Sequence, residues 1–356
     1  MRVLLITNDY PPRPGGIQQY LSNLVCNSSA VFRVLAPSHH GAVMEDHLVR
    51  SDSAFMWPTP GVRDWIGTEI AAFRPDVLVF GAPYPLAQVG PSLSRRFDIP
   101  YVVIAHGAEV TLAGRVPVFR RLLKSTFGRA AAVLTVSRYT ARRVERLGAS
   151  HTQVLGAGVD LDTFHPAPSG TRNPVPVIGC ISRMVPRKGH LRVLTAAERL
   201  YSSGLPVEVL LAGQGRLEDR IRNRASRSEI PVQVVTGPTW EDLPDLYRRC
   251  DVFVMPARSR YLGLEIEGLG IVYLEAAATG IPVIAGSSGG APETVIPGVT
   301  GFVATSSVEL IEAVRTALDR RDEMGAAARE LAEKRFSWQV VSERLDRALR
   351  AVITEK

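Results

Sequence analysis

Two glutamates, Glu267 and Glu275, flank Gly268, Leu269 and Gly270 in the segment EGLGIVYLE. The two glycines fall where a helix should begin, so their bare backbone amides suit an anion. If the helix runs on through Glu275, the i, i+8 separation of the acids is about 12 Å of axial rise. That is longer than the roughly 5 Å carboxylate pair of a retaining glycosidase, and beyond the inverting range too. The acids therefore read as brackets around an extended ligand, a sugar at one end and a ribose at the other, with a diphosphate on the glycine amides between. The plainer alternative is a capped helix with two surface acids. It sits badly with VYLEAAA, which looks buried, and a buried Glu needs a hydrogen-bond partner such as a ribose hydroxyl.

Three further stretches place polar chemistry at strand ends. In SRMVPRKG, Arg183 and Lys188 follow an apolar strand and precede a helix start near Gly189. Arg offers a planar fork to two oxygens and Lys a movable point charge, which suits a diphosphate, although a basic loop can also be merely solvated. In TNDYPPRPGGIQQY, Pro11, Pro12 and Pro14 stiffen a loop, and Gly15 and Gly16 let backbone approach a ligand before a helix begins at Ile17. The spacing is not GxGxxG, so a dinucleotide is not indicated. His106, in VVIAHGAE, ends a strand before Gly107. A hydrogen-bonded core histidine and a cleft residue remain equally open there. SSGGAPETV repeats the strand–glycine–helix device with Glu293 in the first turn, either as a capped turn or as a ligand contact.

These residues need a scaffold, and the rest of the sequence supplies one. A chain of 356 residues outgrows a single core, so two domains are expected. Apolar strands at Val3–Thr7, Val31–Ala36, Val77–Phe80, Tyr101–Ala105 and Val133–Val136 alternate with helical stretches at Gln18–Val25, Val62–Phe73, Val116–Arg129 and Ala141–Leu147. The alternation lapses over Gly156–Pro176, rich in Gly, Pro, Ser and Asp. It resumes with strands at Val177–Ser182, Val207–Ala212, Val232–Thr236, Val252–Pro256, Val283–Ala285 and Gly301–Val303. Helices Leu191–Ser203, Leu217–Ser228, Leu243–Arg249 and Val272–Ala278 fall between them. The pattern implies two doubly wound α/β domains, 1–158 and 177–336, joined by a linker at 159–176, with functional loops at the carboxyl ends of the strands.

Composition bounds the partners. Hydrophobic residues make up 46% and charged residues 22%, as in a soluble enzyme, and no stretch has the length of a membrane span. The apolar run Val3–Ile6 is too short for a signal peptide, and Cys26, Cys180 and Cys250 are odd in number and widely spaced. A reduced, cytoplasmic setting is expected. The net charge of +7 favours phosphate-bearing partners, while no zinc spacing or aromatic RNP-type strand points to nucleic acid.

With these motifs together, the sequence resembles a retaining glycosyltransferase of the GT-B fold, in glycosyltransferase family 4. GVDLDTFHP is similar to the interdomain crossing of that family, SRMVPRKG to its phosphate motif and EGLGIVYLE to its E-x7-E element. NDYPPRPGGIQ, SRMVPRKG and EGLGIVYLEAAATGIPVIAGSSGGAPETV resemble most closely the actinobacterial GDP-mannose-dependent phosphatidylinositol mannosyltransferases that add the second mannose. The resemblance implies GDP-mannose as donor substrate, with no tightly bound cofactor. In the absence of a DxD motif it also implies no metal. It implies a lipid-linked sugar acceptor, an inner-membrane-face location and a final helix, 337–356, that crosses back onto the first domain. By the same resemblance Arg183, Lys188, Gly15 and Gly16 contact the donor phosphates, and Gly268, Leu269 and Gly270 give backbone contacts. Glu267 lies at the sugar, Glu275 on the ribose, and His106 beside the reacting centre. Retention would follow without a protein nucleophile: a donor phosphate oxygen would take the acceptor's proton, and Arg183 and Lys188 would stabilise the leaving diphosphate.

For the acceptor side, VPVFRRLLKSTFGR read as a helix puts Phe119, Leu122, Leu123 and Phe127 on one arc and Arg120, Arg121, Lys124 and Arg129 on the other. An interfacial helix on anionic lipid and a plain amphipathic helix packed on its sheet both account for the pattern. Other nucleotide sugars or soluble acceptors, a nucleotide-sugar epimerase and a non-catalytic lipid- or nucleotide-binding protein are the competing functions. The intact set of Arg183, Lys188, Glu267 and Glu275 argues against the last.

Overall fold

The structure, a computed structural model, describes residues 1–13, 15–39, 45–107, 110–111, 116–168, 173–261 and 264–355. Pro14, and residues 169–172 of the expected linker, lie outside the described residues. The chain forms two compact units, Met1–Gly158 with Trp338–Lys356, and Val159–Ser337.

The first unit is built on strands β1 (Arg2–Ile6), β2 (Val31–Ala36), β3 (Leu48–Arg50), β4 (Val77–Phe80), β5 (Tyr101–Ala105), β6 (Ala132–Thr135) and β7 (Thr152–Val154). They pair in parallel in the order β3-β2-β1-β4-β5-β6-β7. The second carries β8 (Val177–Ile181), β9 (Glu208–Gly213), β10 (Val232–Thr236), β11 (Val252–Met255), β12 (Val283–Gly286) and β13 (Gly301–Ala304), in the order β10-β9-β8-β11-β12-β13. Both share the doubly wound arrangement, in which strand order reverses beside the first strand. The central strands are continuous apolar runs, and β4, β5, β6, β11 and β12 are buried along their whole length. A parallel sheet covered on both faces demands this. The reversal opens a crevice between β1 and β4 in one unit and between β8 and β11 in the other.

The two strands that hydropathy did not reveal, β3 and β7, are three-residue edge strands with half-exposed, partly polar sequences, LVR and TQV. An edge strand buries too little to need an apolar run. The stretch expected to be a linker departs from that reading as well. Val159 bridges to Ser337, and the buried Phe164 ring packs edge-on to Tyr247 at 5.7 Å. Asp160 accepts bonds from the amides of Asp162 and Thr163. Val159–Phe164 is therefore an integral piece of the second unit.

The last helix, Trp338–Thr354, packs on the helix Gly16–Asn27 of the first unit. Trp338 meets Tyr20 edge-on at 5.7 Å, and a Cβ at Gly158 would lie 2.2 Å from the Trp338 ring. The buried Asp346 carboxylate accepts from the Ser28 hydroxyl and from the Ser29 amide at 2.9 Å, tying the final helix to the end of the first. No helix among the described residues is long and apolar enough to cross a membrane.

Candidate active site

At the crevice of the second unit, the loop after β8 closes in a 3₁₀ turn, Pro186–Lys188, and leaves through Gly189 at φ +88°. A Cβ at Gly189 would lie 2.9 Å from the Pro256 ring and 3.2 Å from its carbonyl oxygen, so glycine lets the loops after β8 and β11 touch. That approach brings Lys188 Nζ to 2.8 Å from Glu267 Oε2, and Arg187 Nη1 donates to the same oxygen. Lys188 and Glu267 are only 6% and 7% exposed. Burial lowers the Lys188 pKa, while Glu267 pulls it back up. Burial would raise that of Glu267, but Lys188 and Arg187 outweigh it and hold the carboxylate below its ordinary range.

The backbone of Glu267 is fixed from the other side by the loop after β12. Its amide donates to Ser288 Oγ at 3.1 Å, and its carbonyl accepts from the Gly290 amide at 3.0 Å. Gly289 turns at φ +58°, and a Cβ there would lie 1.9 Å from the Glu267 carbonyl oxygen. The glycines of SSGG thus serve Glu267. Glu293, the acid of that segment, falls in the short 3₁₀ turn Ala291–Thr294.

Glu275 sits inside the helix Ile271–Ala278, 4% exposed, and its Oε2 accepts from the Tyr247 hydroxyl at 2.7 Å. The protein itself therefore supplies a partner that the sequence reading assigned to a ribose. Burial pushes the Glu275 carboxyl up to about 7, against smaller opposing effects of the Tyr247 bond and Lys188. Lys188 therefore acts on both glutamates. The expected 12 Å rise also changes: the helix begins at Ile271, so Glu267 to Gly270 is loop and only the last four steps to Glu275 are helical. Gly270, at φ +95°, precedes the helix without a side-chain cap, Gly268 is half-buried, and Leu269 is buried beneath them.

Arg183 lies exposed just past the end of β8, its carbonyl accepts from the Val185 amide at 2.8 Å, and its charge lowers the Lys188 pKa. Arg187 and Lys188 thus hold one ionised carboxylate, with Arg183 acting on Lys188 and the Glu275 carboxyl raised to about 7. The local excess of positive charge fits an anion such as a diphosphate.

The corresponding crevice of the first unit is built differently. Gly15 opens the helix Gly16–Asn27, and a Cβ at Gly15 would lie 2.2 Å from Gln18 Oε1, whereas one at Gly16 would meet nothing within 4 Å. Gln18 in turn donates to Asp9 Oδ1 at 2.8 Å. His106 follows β5; its Nε2 lies 2.8 Å from the Gly81 carbonyl at the end of β4, and its ring meets Tyr20 edge-on at 5.4 Å. One ring nitrogen is therefore engaged by the scaffold.

The sequence has close relatives of known activity. It is 36% identical to the GDP-mannose-dependent monoacylated alpha-(1-6)-phosphatidylinositol monomannoside mannosyltransferase of Corynebacterium glutamicum, over 98% of each chain. It is also 36% identical to the GDP-mannose-dependent alpha-(1-6)-phosphatidylinositol monomannoside mannosyltransferase of Mycolicibacterium smegmatis, over 96% of this chain and 97% of that one. Residues 14–163 match the family Glycosyltransferase Family 4, and residues 162–335 match Glycosyl transferases group 1. The chain is a GT-B glycosyltransferase.

Among solved structures, the glycosyltransferase fold is similar to that of Anabaena HepE in complex with UDP, with TM-score 0.79 at 20% identity over 99% of this chain and 100% of that one. It is equally similar to sucrose-phosphate synthase from Thermosynechococcus elongatus, with TM-score 0.79 at 19% identity over the whole of both chains. Of the residues singled out in the glycosyltransferase sequence, Lys188 and Glu267 are brought into direct contact, and Glu275 and Arg183 act on the same ammonium. Gly15, Gly16 and His106 belong to the other unit. Three participants were missed. Arg187 stands inside SRMVPRKG with nothing to mark it above its neighbours. Tyr247 is one tyrosine in an ordinary helical stretch. His190, buried at the start of the helix His190–Ser202, is pushed down to about 4 by burial and then by Lys188, and is neutral there.

Proposed function

We infer that this glycosyltransferase moves mannose from GDP-mannose to a phosphatidylinositol mannoside, with retention of configuration, at a membrane surface. The observation that carries the reading is the end-to-end 36% identity with mannosyltransferases of that donor and acceptor, in a chain whose first E-x7-E acid, Glu267, is held by Lys188 and Arg187. In this reading Arg183 and Lys188 bind the diphosphate, and the amides around Gly268–Gly270 and Gly16 contact donor oxygens. Glu267 receives the sugar hydroxyls, Glu275 the ribose, and His106 lies beside the reacting carbon. Lys188 and Arg187 keep Glu267 ionised, so it serves as a hydrogen-bond acceptor rather than a proton donor. Charge grows on the departing diphosphate in the transition state, where fixed cations stabilise it most. A donor phosphate oxygen takes the acceptor's proton, which leaves no need for a protein base.

The membrane part rests on the helix Pro117–Phe127. Leu123, Thr126 and Phe127 are buried beneath it, and Phe119 packs edge-on to Tyr84 at 5.2 Å. Val116, Val118 and Leu122 stay exposed beside exposed Arg120, Arg121 and Lys124. Of the apolar arc read from the sequence, Leu122 turns outward, giving apolar wedges among cations, the combination that favours anionic lipid. Co-sedimentation with phosphatidylinositol vesicles at low salt tests it; no binding contradicts it.

The transfer itself is tested by incubation with GDP-mannose and purified phosphatidylinositol monomannoside. A lipid product heavier by one hexose, with an α anomeric signal by NMR, is expected. Release of sugar without acceptor modification, or an epimerised donor, would contradict the reading.

A further inference from the structure

Tyr247 is fully buried in the helix Leu243–Arg248, and its hydroxyl donates to Glu275 Oε2 at 2.7 Å. Burial, and then the neighbouring Glu275 carboxylate, raise the hydroxyl pKa well above its ordinary value, so the hydroxyl stays protonated and is the donor. The bond engages one carboxylate oxygen only. Glu275 Oε1 makes no hydrogen bond among the described residues, although both oxygens of a carboxylate accept. An acceptor left open on a buried glutamate suits a donor hydroxyl brought by a ligand.

The ring that carries the Tyr247 hydroxyl is pinned on two sides. Phe164 meets it edge-on at 5.7 Å, and Phe253 of β11 lies at 5.6 Å. Phe164 is itself buried and is covered by the half-exposed Trp240 at 5.5 Å. Arg329 Nη1 donates to the Phe164 carbonyl at 2.8 Å and to the Ala278 carbonyl at 2.7 Å. Ala278 ends the helix that carries Glu275, so one guanidinium ties that helix to the segment whose ring holds Tyr247. The backbone of Glu275 and the partner of its side chain are thus fixed by one arrangement.

We propose that Tyr247 is a positioning residue for the donor, holding Glu275 in the conformation that turns Oε1 towards the ribose hydroxyls, and that Phe164 keeps the tyrosine in place. A glutamate side chain loses rotamer freedom when it grips a ligand, and ordering it beforehand removes that cost from binding. The benefit falls on affinity rather than on the chemical step, because a ribose contact is made alike in the ground and transition states. The role rests on the placement of the ribose at Glu275.

Calorimetric titration of the full-length protein with GDP and with its 2′-deoxy and 3′-deoxy analogues tests it, in wild type, Tyr247→Phe, Phe164→Leu and Glu275→Ala. Wild type should bind the analogue that lacks the contacted hydroxyl about tenfold more weakly than GDP, the loss of a hydrogen bond to a carboxylate. Tyr247→Phe should weaken GDP about fivefold and leave that analogue nearly unaffected, so the preference shrinks to about twofold. Phe164→Leu keeps the hydroxyl and loosens the ring, and should shrink the preference less. With GDP-mannose, the loss in Tyr247→Phe should fall on KM rather than on kcat. A preference of wild-type size in both folded variants overturns the positioning role, because any weakening is then shared by all three ligands and reports the fold. A wild type that binds the three ligands alike, or a preference that survives Glu275→Ala, removes the ribose from Glu275 and the positioning role with it.

Discussion

The two sheet crevices share a topology and differ in chemistry. In the second unit the crevice between β8 and β11 is filled by buried charge, with Lys188, Arg187 and Glu267 locked together and Glu275 inside a neighbouring helix. In the first, the crevice between β1 and β4 carries His106 on a carbonyl and an aromatic edge, beside the open backbone of Gly16. The difference teaches where each unit invests its rigidity. A buried ion network resists rearrangement, because removing one partner strands the other in low dielectric. Such a network offers fixed charge to an anion, as the proposed diphosphate role requires. The first crevice, without such a network, leaves room for a group whose position matters more than its charge.

The largest test of that contrast is Lys188→Ala. It should lower the transfer rate by about 10²–10³, the loss typical of removing a fixed group that meets transition-state charge. It should also destabilise the protein by about 3 kcal/mol, as for breaking a buried pair. Steady-state rates and thermal denaturation read both effects, and a variant of near-normal rate would remove the lysine from the site. Arg187→Ala should act less strongly, by about tenfold on donor KM, because Lys188 still holds Glu267. An equal loss in the two variants would make the arginine a direct donor ligand. His106→Ala belongs to the other crevice and should lower kcat by about tenfold without changing GDP affinity. A change in GDP affinity would break the division between the crevices.

A pH dependence is expected in stability rather than in rate. The Glu275 carboxyl lies at about 7 in the folded protein against 4.5 in a free side chain. A raised folded pKa contributes stability that is full below 4.5 and lost as pH rises through 7. Glu275→Gln keeps an acceptor for Tyr247 and does not ionise. Its stability relative to wild type should therefore rise between about pH 5 and pH 8, by up to about 3 kcal/mol. Thermal denaturation across that range should show the difference widening, and a constant difference would place the Glu275 pKa at an ordinary value.

The contrast also explains what the sequence made legible. Central strands such as Val77–Phe80 and Val252–Met255 announce themselves because both faces are buried, Gly270 because a glycine at a helix start offers bare amides to an anion, and Lys188 because it follows a strand beside a helix start. The edge strands β3 and β7 carry no such pattern. The ion network was half legible: Lys188 and Glu267 stood out singly, but their contact depends on how closely the loops after β8 and β11 approach, a property of the fold at Gly189 and Pro256. Arg187 and Tyr247 acquire meaning only from the partners that tertiary structure gives them. The same limit applied to Glu275, for which sequence called for a hydrogen-bond partner without naming Tyr247.

The most direct test of the account is a calorimetric titration of GDP into wild type, Lys188→Ala and His106→Ala under one buffer. Binding lost or weakened at least tenfold in the lysine variant and retained in the histidine variant is the expected result. GDP binding of wild-type strength in folded Lys188→Ala would contradict the placement of the donor diphosphate on the second unit's buried cation cluster.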